Sequence, residues 1–279
     1  MIDINKLEFK KFPGGELHLT SSWVGSGCHI LSDHENEQRV YCRINSSDDF
    51  MKLALFTNAY KSLGYKLPPL VLPYIPYARQ DRIPTPGEAL SIKVFAQLLN
   101  TLGYPKVYVL DPHSDVSTAL IDNVCVIPQW NIWGVELIRL NAENELDKFD
   151  LISPDAGALK KIYKLQEFVM ESRCNNIRVG MKHRDTETGQ ITGTSVDGEP
   201  KNKVGVVVDD ICDGGRTFVE LAKVIRKDYD KLILCITHGI FSKGFDELYE
   251  LYDEIHTTNS WNPLLEGDKN LHVIQIEKL

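Results

Sequence analysis

The side chains best suited to chemistry lie together in residues 209–217, which read Asp-Asp-Ile-Cys-Asp-Gly-Gly-Arg-Thr. The adjacent carboxylates of Asp209 and Asp210 can hold the 2,3-diol of a ribose, either directly or through Mg²⁺. The two glycines let backbone amides approach a phosphate closely, and the N-terminus of a following helix adds partial positive charge. We expect Thr217 to cap that helix and to donate its hydroxyl to the same phosphate. The alternative is a tight surface turn with a carboxylate cap, for which so much charge would be costly.

The elements that position this segment are a strand before it and a helix after it. Residues 204–208 form a continuous valine-rich run, which predicts a buried strand. Residues 217–225 have helical spacing, and residues 232–237 predict the next strand. We therefore place the segment in a loop at the carboxyl end of a strand, where open α/β sheets bind ligands.

Strands and helices alternate along the rest of the chain as well. The sequence predicts helices at residues 50–64, 91–99 and 158–171, and strands at residues 70–74, 106–111 and 149–153. A last strand at residues 271–276 could belong to either of two sheets. This alternation predicts an α/β fold with mainly parallel sheets. We place a boundary in the polar residues 141–148, which gives domains 1–143 and 144–279.

The overall composition excludes several classes of protein. The chain has 279 residues, of which 43% are hydrophobic and 25% charged, and its formal net charge is −8. This acidic balance argues against a nucleic-acid-binding protein, which would carry a basic face. No apolar run is long enough to span a membrane, and no secretory signal is recognisable. The six cysteines include no CxxC pair, which argues against a zinc site, and we expect reduced thiols in the cytoplasm.

Further segments place charged or polar residues beside glycines or predicted strand ends. They are Phe12-Pro13-Gly14-Gly15-Glu16, Tyr77-Ala78-Arg79-Gln80-Asp81-Arg82, Asp111-Pro112-His113-Ser114-Asp115, Ser153-Pro154-Asp155-Ala156-Gly157, Lys182-His183-Arg184 and Thr237-His238-Gly239-Ile240-Phe241-Ser242. Taken singly, such segments have plain structural explanations. These are a glycine turn, a solvated pair of arginines, a structural histidine or a mobile surface hairpin.

In this order, the segments resemble the motifs of the ribose-phosphate diphosphokinase family, whose members make 5-phosphoribosyl 1-diphosphate (PRPP). The resemblance runs from Phe12 to about Phe241. It implies two tandem phosphoribosyltransferase-type domains, each with a mainly parallel sheet flanked by helices. It also implies transfer of the β,γ-pyrophosphoryl group of Mg-ATP to the anomeric 1-hydroxyl of ribose 5-phosphate, giving PRPP and AMP. Because the family assembles from dimers into larger rings, a homo-oligomer is implied too.

The resemblance further implies a role for each matching residue. The ATP contacts are Phe12, Glu16, Arg79, Gln80 and His113. The Mg²⁺ ligands are His113, through a ring nitrogen or a bound water, and Asp155. The ribose-phosphate contacts are Asp209, Asp210, Asp213, Gly214, Gly215, Arg216 and Thr217. Lys182 and Arg184 match the catalytic cations of a flexible arm that neutralises charge on the β-phosphate in the transition state.

Departures from the family pattern leave the acceptor open. Arg216 stands where the family has a glycine that admits the 5-phosphate, so a larger acceptor such as ADP-ribose, from NAD-related metabolism, is an alternative. Gly14 replaces an acidic residue of the ATP motif, His183 replaces an arginine of the arm, and Gly87 replaces a basic residue involved in regulation by phosphate. A non-catalytic regulatory subunit is a further alternative, against which the retained cations and acidic segment argue. A phosphoribosyltransferase that consumes PRPP would not need the ATP motif.

Overall fold

The chain folds into two compact units, Met1–Ile127 and Pro128–Leu279. The structure is a computed structural model that describes residues 1–25, 38–143, 146, 148–170, 173–184 and 191–278. Among these residues, no helix is long and apolar enough to cross a membrane.

The first unit contains a parallel sheet and a small hairpin. Its elements are β1 (Ile2–Asp3), a 3₁₀ turn (Ile4–Lys6), β2 (Phe9–Lys11), β3 (Leu17–Leu19), α1 (Ser22–Gly25), β4 (Val40–Tyr41), α2 (Ser47–Ser62), β5 (Leu70–Leu72), α3 (Ser91–Thr101), β6 (Val107–Leu110), α4 (Asp115–Leu120) and β7 (Val124–Ile127). The parallel sheet has the order β1-β4-β5-β6-β7, and β2 pairs with β3 antiparallel.

Helix α2 shows how the sequence pattern builds this unit. It begins after Ser46, whose hydroxyl oxygen accepts a hydrogen bond from the backbone N–H of Asp49 at 3.3 Å. Leu53, Phe56 and Tyr60 recur every three or four residues and are buried in the core. The helices and strands predicted for this half of the chain are all present. Strand β5 ends sooner than predicted, at the residue before a proline that cannot donate to a neighbouring strand.

The second unit contains a larger sheet. Its elements are α5 (Gln129–Ala142), β8 (Phe149–Ser153), α6 (Leu159–Val169), β9 (Ile177–Arg184), β10 (Ile191–Asp197), β11 (Val204–Cys212), α7 (Arg216–Ile225), a 3₁₀ turn (Arg226–Asp228), β12 (Lys231–Gly239), α8 (Asp246–Tyr249), β13 (Glu254–Thr258), β14 (Leu271–Ile274) and a 3₁₀ turn (Ile276–Lys278). The sheet has the order β10-β9-β8-β11-β12-β13-β14, and all its neighbours are parallel except β9 and β10.

Helix α5 belongs to the second unit. Its buried Trp133 donates from Nε1 to the Oγ1 atom of Thr237 on β12 at 3.1 Å. The boundary predicted between residues 143 and 144 lies at the C-terminal end of this helix, whereas the compact units divide before it. Residues 144, 145 and 147 of the predicted linker lie outside the described residues. The strand predicted at residues 271–276 is β14, which joins the sheet of the second unit.

Candidate active site

The acidic pair lies within strand β11. Placing Asp209 and Asp210 in a loop was therefore wrong, and only residues 213–215 separate the strand from α7. The strand continues because its backbone pairs with β12 as far as Cys212, which is opposite Gly239. Successive side chains of a strand point to opposite faces, so the two carboxylates project in opposite directions near the carboxyl end of β11.

The surroundings of Asp209 disfavour the ionised form of its carboxyl group. Burial raises the pKa of its carboxyl well above the usual range, and the charges of Asp210 and Asp155 raise it further. Its Oδ1 atom accepts a hydrogen bond from the backbone N–H of Asp210 at 2.9 Å. A cation bound here would relieve the repulsion, so the position suits a metal ion or the hydroxyl groups of a sugar.

Asp210 is held on the opposite side by a lysine that the sequence did not indicate. Lys161 of α6 places Nζ 3.0 Å from Oδ2 of Asp210, whose side chain is 9% exposed. The lysine reaches the strand because α6 follows β8, the neighbour of β11 in the sheet. Lysine on a helix surface gives no sequence signal for such a contact, since the partner is distant along the chain.

The turn after β11 is formed by glycine. Gly215 occupies the N-cap position of α7 with a φ of +73°, a left-handed conformation that glycine adopts without strain. The capping role predicted for Thr217 is wrong, because that residue lies inside the first helical turn and the cap has no side-chain hydrogen bond. Arg216 is the first helical residue and is exposed. Within the first turn, the backbone N–H groups of Phe218 and Val219 donate to the carbonyl of Gly215 at 2.9 and 3.0 Å. The N-terminal end of α7 carries the partial positive charge that favours a bound anion.

A second loop supports this turn. The backbone N–H groups of Ile240 and Phe241 donate to the carbonyl of Cys212 at 2.9 and 3.1 Å. Ser242 donates from its hydroxyl to Oδ1 of Asp213 at 2.7 Å, and from its backbone N–H to the Asp213 carbonyl at 3.0 Å. The motif at residues 237–242 thus fixes the conformation of the turn, a role that its sequence did not specify.

Lys243 is a further residue that the sequence did not single out. A Cβ atom built on Gly214 would lie 3.7 Å from Cδ and Cε of Lys243, so the lysine stem runs beside the glycine turn. Together with Arg216, it places two basic side chains next to the candidate phosphate-binding turn.

Asp155 lies in the turn after β8, on the same side of the unit. Its Oδ1 atom accepts hydrogen bonds from the backbone N–H groups of Gly157 and Ala158 at 2.9 and 3.2 Å. Its charge contributes to the raised pKa of Asp209. The structure thus brings Asp155 near the acidic pair. His113, with which it was predicted to share Mg²⁺, belongs to the first unit, and that sharing stays a prediction.

Phe12 and Glu16 lie at the hairpin of the first unit. The N–H of Phe12 donates to the Glu16 carbonyl at 2.9 Å, and the N–H of Gly15 to the Phe12 carbonyl at 2.8 Å. The turn predicted between two strands is therefore present. The ring of Phe12 is 40% exposed, and Nζ of Lys10 lies 5.1 Å from its centroid. An exposed ring of this kind can stack on a nucleotide base.

Arg79 and Gln80 are exposed in turns that follow β5, beyond the end of the strand. The backbone N–H of Gln80 donates to the carbonyl of Tyr77 at 2.9 Å, and Tyr77 has a φ of +61°. Such a conformation is costly for a bulky residue and is concentrated at functional sites.

His113 is exposed in the turn between β6 and α4. Close to it, the buried Asp111 has a φ of +33°, and its N–H donates to the carbonyl of Ile127 at 2.8 Å. Buried acidic side chains with strained backbone are uncommon, so Asp111 is an additional site candidate. Its motif was recognisable, but no sequence feature distinguished Asp111 from its neighbours.

The predicted catalytic cations Lys182 and Arg184 lie on strand β9, which pairs with β10 in an antiparallel hairpin. Their side chains, and residues 185–190 between the two strands, lie outside the described residues. Their catalytic role therefore stays a prediction.

Comparisons with known proteins agree with these arrangements. Residues 1–103 match the family model of the N-terminal domain of ribose phosphate pyrophosphokinase. The ribose-phosphate pyrophosphokinase of Pyrococcus furiosus is 28% identical over 265 residues, which cover 92% of this chain and 86% of that protein. The corresponding protein of Mycoplasmopsis pulmonis is 30% identical over 219 residues, which cover 77% of this chain and 66% of that protein. This chain belongs to the ribose-phosphate pyrophosphokinase family.

The fold agrees with membership of the pyrophosphokinase family. The crystal structure of phosphoribosylpyrophosphate synthetase from Mycobacterium smegmatis superposes with a TM-score of 0.77 at 22% identity. The match covers 98% of this chain and 86% of the other. The predicted α/β class, with parallel sheets flanked by helices, is confirmed. As a pyrophosphokinase-family member, the chain is also confirmed as an enzyme rather than a binding module.

Proposed function

We propose that this family member transfers the β,γ-pyrophosphoryl group of Mg-ATP to the anomeric 1-hydroxyl of ribose 5-phosphate, giving PRPP and AMP. The hydroxyl oxygen attacks the β-phosphorus, the bond between that phosphorus and the α,β-bridging oxygen breaks, and the hydroxyl proton is released. The observation that carries the proposal is the strand end of β11. There, two carboxylates stand beside a glycine turn and the N-terminus of a helix, as a ribose diol and a phosphate require.

The acceptor side of the proposal assigns a role to each residue of this segment. Of the acidic pair, Asp209 is proposed to hold the ribose hydroxyls, because Asp210 points to the other face of β11 and pairs with Lys161. The predicted ribose contact of Asp210 stays a prediction. Residues 213–217 are proposed to hold the phosphate through backbone amides and the Thr217 hydroxyl. The chemistry of Asp155, Asp209 and Asp210 fits Mg²⁺, which prefers carboxylate oxygens. The pKa of Asp209 is raised because burial and the two neighbouring carboxylates disfavour its negative charge, and a bound cation would offset this effect. When bound, Mg²⁺ neutralises charge on the transferring phosphates.

The nucleotide side of the proposal rests on the first unit. Phe12, Glu16, Arg79, Gln80 and His113 are proposed to hold ATP. The exposed ring of Phe12 suits the base, and the guanidinium of Arg79 suits a phosphate. Lys182 and Arg184 are proposed to stabilise the charge that develops on the β-phosphate, so positioning and electrostatics carry the reaction rather than proton abstraction.

A second acceptor is favoured by two basic residues at the phosphate turn. Arg216 begins α7 and is exposed, and Lys243 runs beside Gly214. Ribose 5-phosphate has one phosphate, which the turn itself can hold. ADP-ribose has a second phosphate, with which these cations could pair. We hold ribose 5-phosphate as the principal acceptor and ADP-ribose as the alternative.

The decisive experiment offers Mg-ATP with either ribose 5-phosphate or ADP-ribose and follows AMP release together with the mass of the second product. We expect AMP and PRPP from ribose 5-phosphate. The Asp209→Asn, Asp210→Asn double variant should release no AMP with either acceptor. AMP release that needs ADP-ribose would replace the principal proposal by its alternative. ATP binding without AMP release with either acceptor would overturn the proposed reaction.

We further propose a homo-oligomer that works in the cytoplasm. The family resemblance supports the assembly, and the five cysteines that the structure describes, all of them free, fit a reducing compartment. Light scattering after gel filtration tests the assembly, and a mass equal to that of one chain would contradict it.

A further inference from the structure

Lys243 lies in a short turn that follows strand β12. The backbone N–H of Gly244 donates to the carbonyl of Phe241 at 2.9 Å, so Lys243 is an inner residue of a hydrogen-bonded β-turn. The residue before it, Ser242, donates from its backbone N–H to the carbonyl of Asp213 at 3.0 Å. These hydrogen bonds hold the backbone of Lys243 against the glycine turn that connects β11 to α7.

The backbone that leads to Lys243 is strained. Phe241 has a φ of +47°, a left-handed conformation that is costly for a bulky residue. Its ring is buried and packs on the ring of Phe245, with the two centroids 4.5 Å apart. Strain of this kind persists only where the surroundings maintain it, and it is concentrated at functional sites. The strained residue therefore points to a function for the turn that presents Lys243.

The side chain of Lys243 runs along the glycine turn. A Cβ atom built on Gly214 would lie 3.7 Å from both Cδ and Cε of the lysine, which is an ordinary contact distance. Nζ is bonded to Cε, so the ammonium group lies within about 5 Å of the same point. The next residue, Gly215, is the N-cap of α7, and this end of the helix carries partial positive charge. The lysine thus adds a full positive charge beside a position that already favours anions.

The charges around the turn favour an anion as the partner of this ammonium group. Among the residues that the structure describes, no carboxylate forms an ion pair with Lys243. Asp213, the acidic residue of the turn, accepts a hydrogen bond from the hydroxyl of Ser242 at 2.7 Å. Its negative charge would repel a phosphate bound at the turn, and a cation beside Gly214 would offset that repulsion.

We propose that Lys243 is the specificity-determining cation of the acceptor site and that its ammonium group binds the phosphate at the ribose 5-position. The inference rests on the proposed function, in which the glycine turn holds that phosphate. Ribose 5-phosphate and ADP-ribose both carry a phosphate at this position, so Lys243 has the same role with either acceptor. The exposed Arg216, in contrast, is the residue proposed to distinguish the two. Lys243 thereby selects phosphorylated ribose over free ribose.

A purely structural role for Lys243 would depend on its stem rather than on its charge. Lysine stems can cover a neighbouring surface while the ammonium group stays in water. Lys243→Met keeps most of the stem beside Gly214 and removes the charge, whereas Lys243→Arg keeps a positive charge. Comparison of the two variants therefore separates the effect of packing from the effect of charge.

The test measures the dissociation constant of ribose 5-phosphate for the full chain by isothermal titration calorimetry, at low and at high salt. We expect Lys243→Met to weaken binding by about 10- to 100-fold, the scale of a hydrogen bond to a charged group. Its remaining binding should depend less on salt, because one cation no longer contributes. Lys243→Arg should keep most of the affinity. The matched control is Lys223→Met on α7, where Lys223 pairs with Glu220 at 3.1 Å, and it should bind like the parent.

Calorimetry follows binding without turnover, so it separates this inference from the proposed reaction. Binding that depends on Lys243 but leads to no AMP release would overturn the reaction and support the inference. Where ribose 5-phosphate does not bind, ADP-ribose serves as the probe. Binding of neither acceptor would overturn the inference. Parent-like affinity in Lys243→Met would also overturn it, as would equal losses in Lys243→Met and Lys243→Arg. Circular dichroism checks that each variant is folded.

Discussion

The ammonium group of Lys161 on α6 lies 3.0 Å from Oδ2 of Asp210 on β11. Both side chains are largely removed from solvent, so the pair joins a helix to the strand that carries the candidate acceptor site. The lysine pairs directly with Asp210, whereas its charge only partly offsets the burial and the neighbouring carboxylates that raise the pKa of Asp209. The two carboxylates are therefore electrostatically different although they are adjacent in sequence.

Removing the lysine should destabilise the second unit. We expect Lys161→Met to lower the free energy of unfolding by about 1–3 kcal/mol, because a buried carboxylate loses a charged hydrogen-bond donor. The matched control is Lys164→Met on the same helix, whose ion pair with Glu167 is exposed and should contribute little. Urea denaturation measures both variants. If both variants lose the same free energy of unfolding, the contact of Lys161 with Asp210 contributes no more to stability than an exposed ion pair.

We expect the carboxylate of Asp209 to destabilise the folded protein, although it is proposed to bind the acceptor. Its pKa is raised in the folded state, so the wild-type protein loses stability as pH rises above the usual carboxyl pKa of about 3.9. Without Mg²⁺, Asp209→Asn should therefore be more stable than the parent at neutral pH, by about 0.5–2 kcal/mol. The difference should vanish in acid, where the carboxyl is protonated in both states. A variant less stable than the parent at neutral pH would contradict this account of the carboxylate.

Gly239→Ala should disturb acceptor binding through the supporting loop. A Cβ atom at Gly239 would overlap the ring of Phe241 and lie 2.6 Å from Oγ1 of Thr257. Phe241 donates to Cys212 beside the glycine turn, so its displacement should raise the acceptor KM and leave the ATP KM nearly unchanged. We also expect a stability loss of about 1–3 kcal/mol.

The control for this variant is Gly205→Ala near the start of β11, where the added Cβ would lie 2.9 Å from ring atoms of Tyr229. It should lose stability with no change in acceptor KM. If both variants alter the acceptor KM equally, the effect reflects general destabilisation rather than the loop.

We expect the two cations of the proposed catalytic arm, Lys182 and Arg184, to affect the turnover number. Lys182→Ala and Arg184→Ala should each lower kcat by about 100-fold or more, the scale of losing one electrostatic donor to the transition state. Nucleotide affinity should change far less. Met181→Ala, an exposed neighbour on β9, serves as the control and should keep normal turnover. Near-normal kcat in both charge variants would exclude them from the reaction.

Arg216 should decide between acceptors. If it pairs with a second phosphate, Arg216→Gly should weaken activity with ADP-ribose by about 1.5–3 kcal/mol and keep or improve activity with ribose 5-phosphate. Lys223→Ala, on the same helix but away from the turn, is the charge control. Competition kinetics with the two acceptors provides the measurement. A parent enzyme inert to ADP-ribose would remove the larger acceptor from consideration.

Local patterns in the sequence were enough to predict much of the molecule. Near neighbours in the sequence determine the strand at residues 204–208, the glycine turn and the helix after it. The spacing of apolar residues and the conformation of a turn are properties of short segments. The alternation of strands and helices predicted the α/β class, and the order of the motifs predicted the family. Both predictions are confirmed.

Only the tertiary structure decided features that depend on partners distant in the chain. The extension of β11 through Asp209 and Asp210 follows from pairing with β12, and the contact of Asp210 with Lys161 follows from the packing of α6 on the sheet. The stacking of the His256 ring on that of His272, from the neighbouring strands β13 and β14, has the same origin. No local spacing encodes these contacts, since strand register and helix packing bring together residues that the sequence keeps apart.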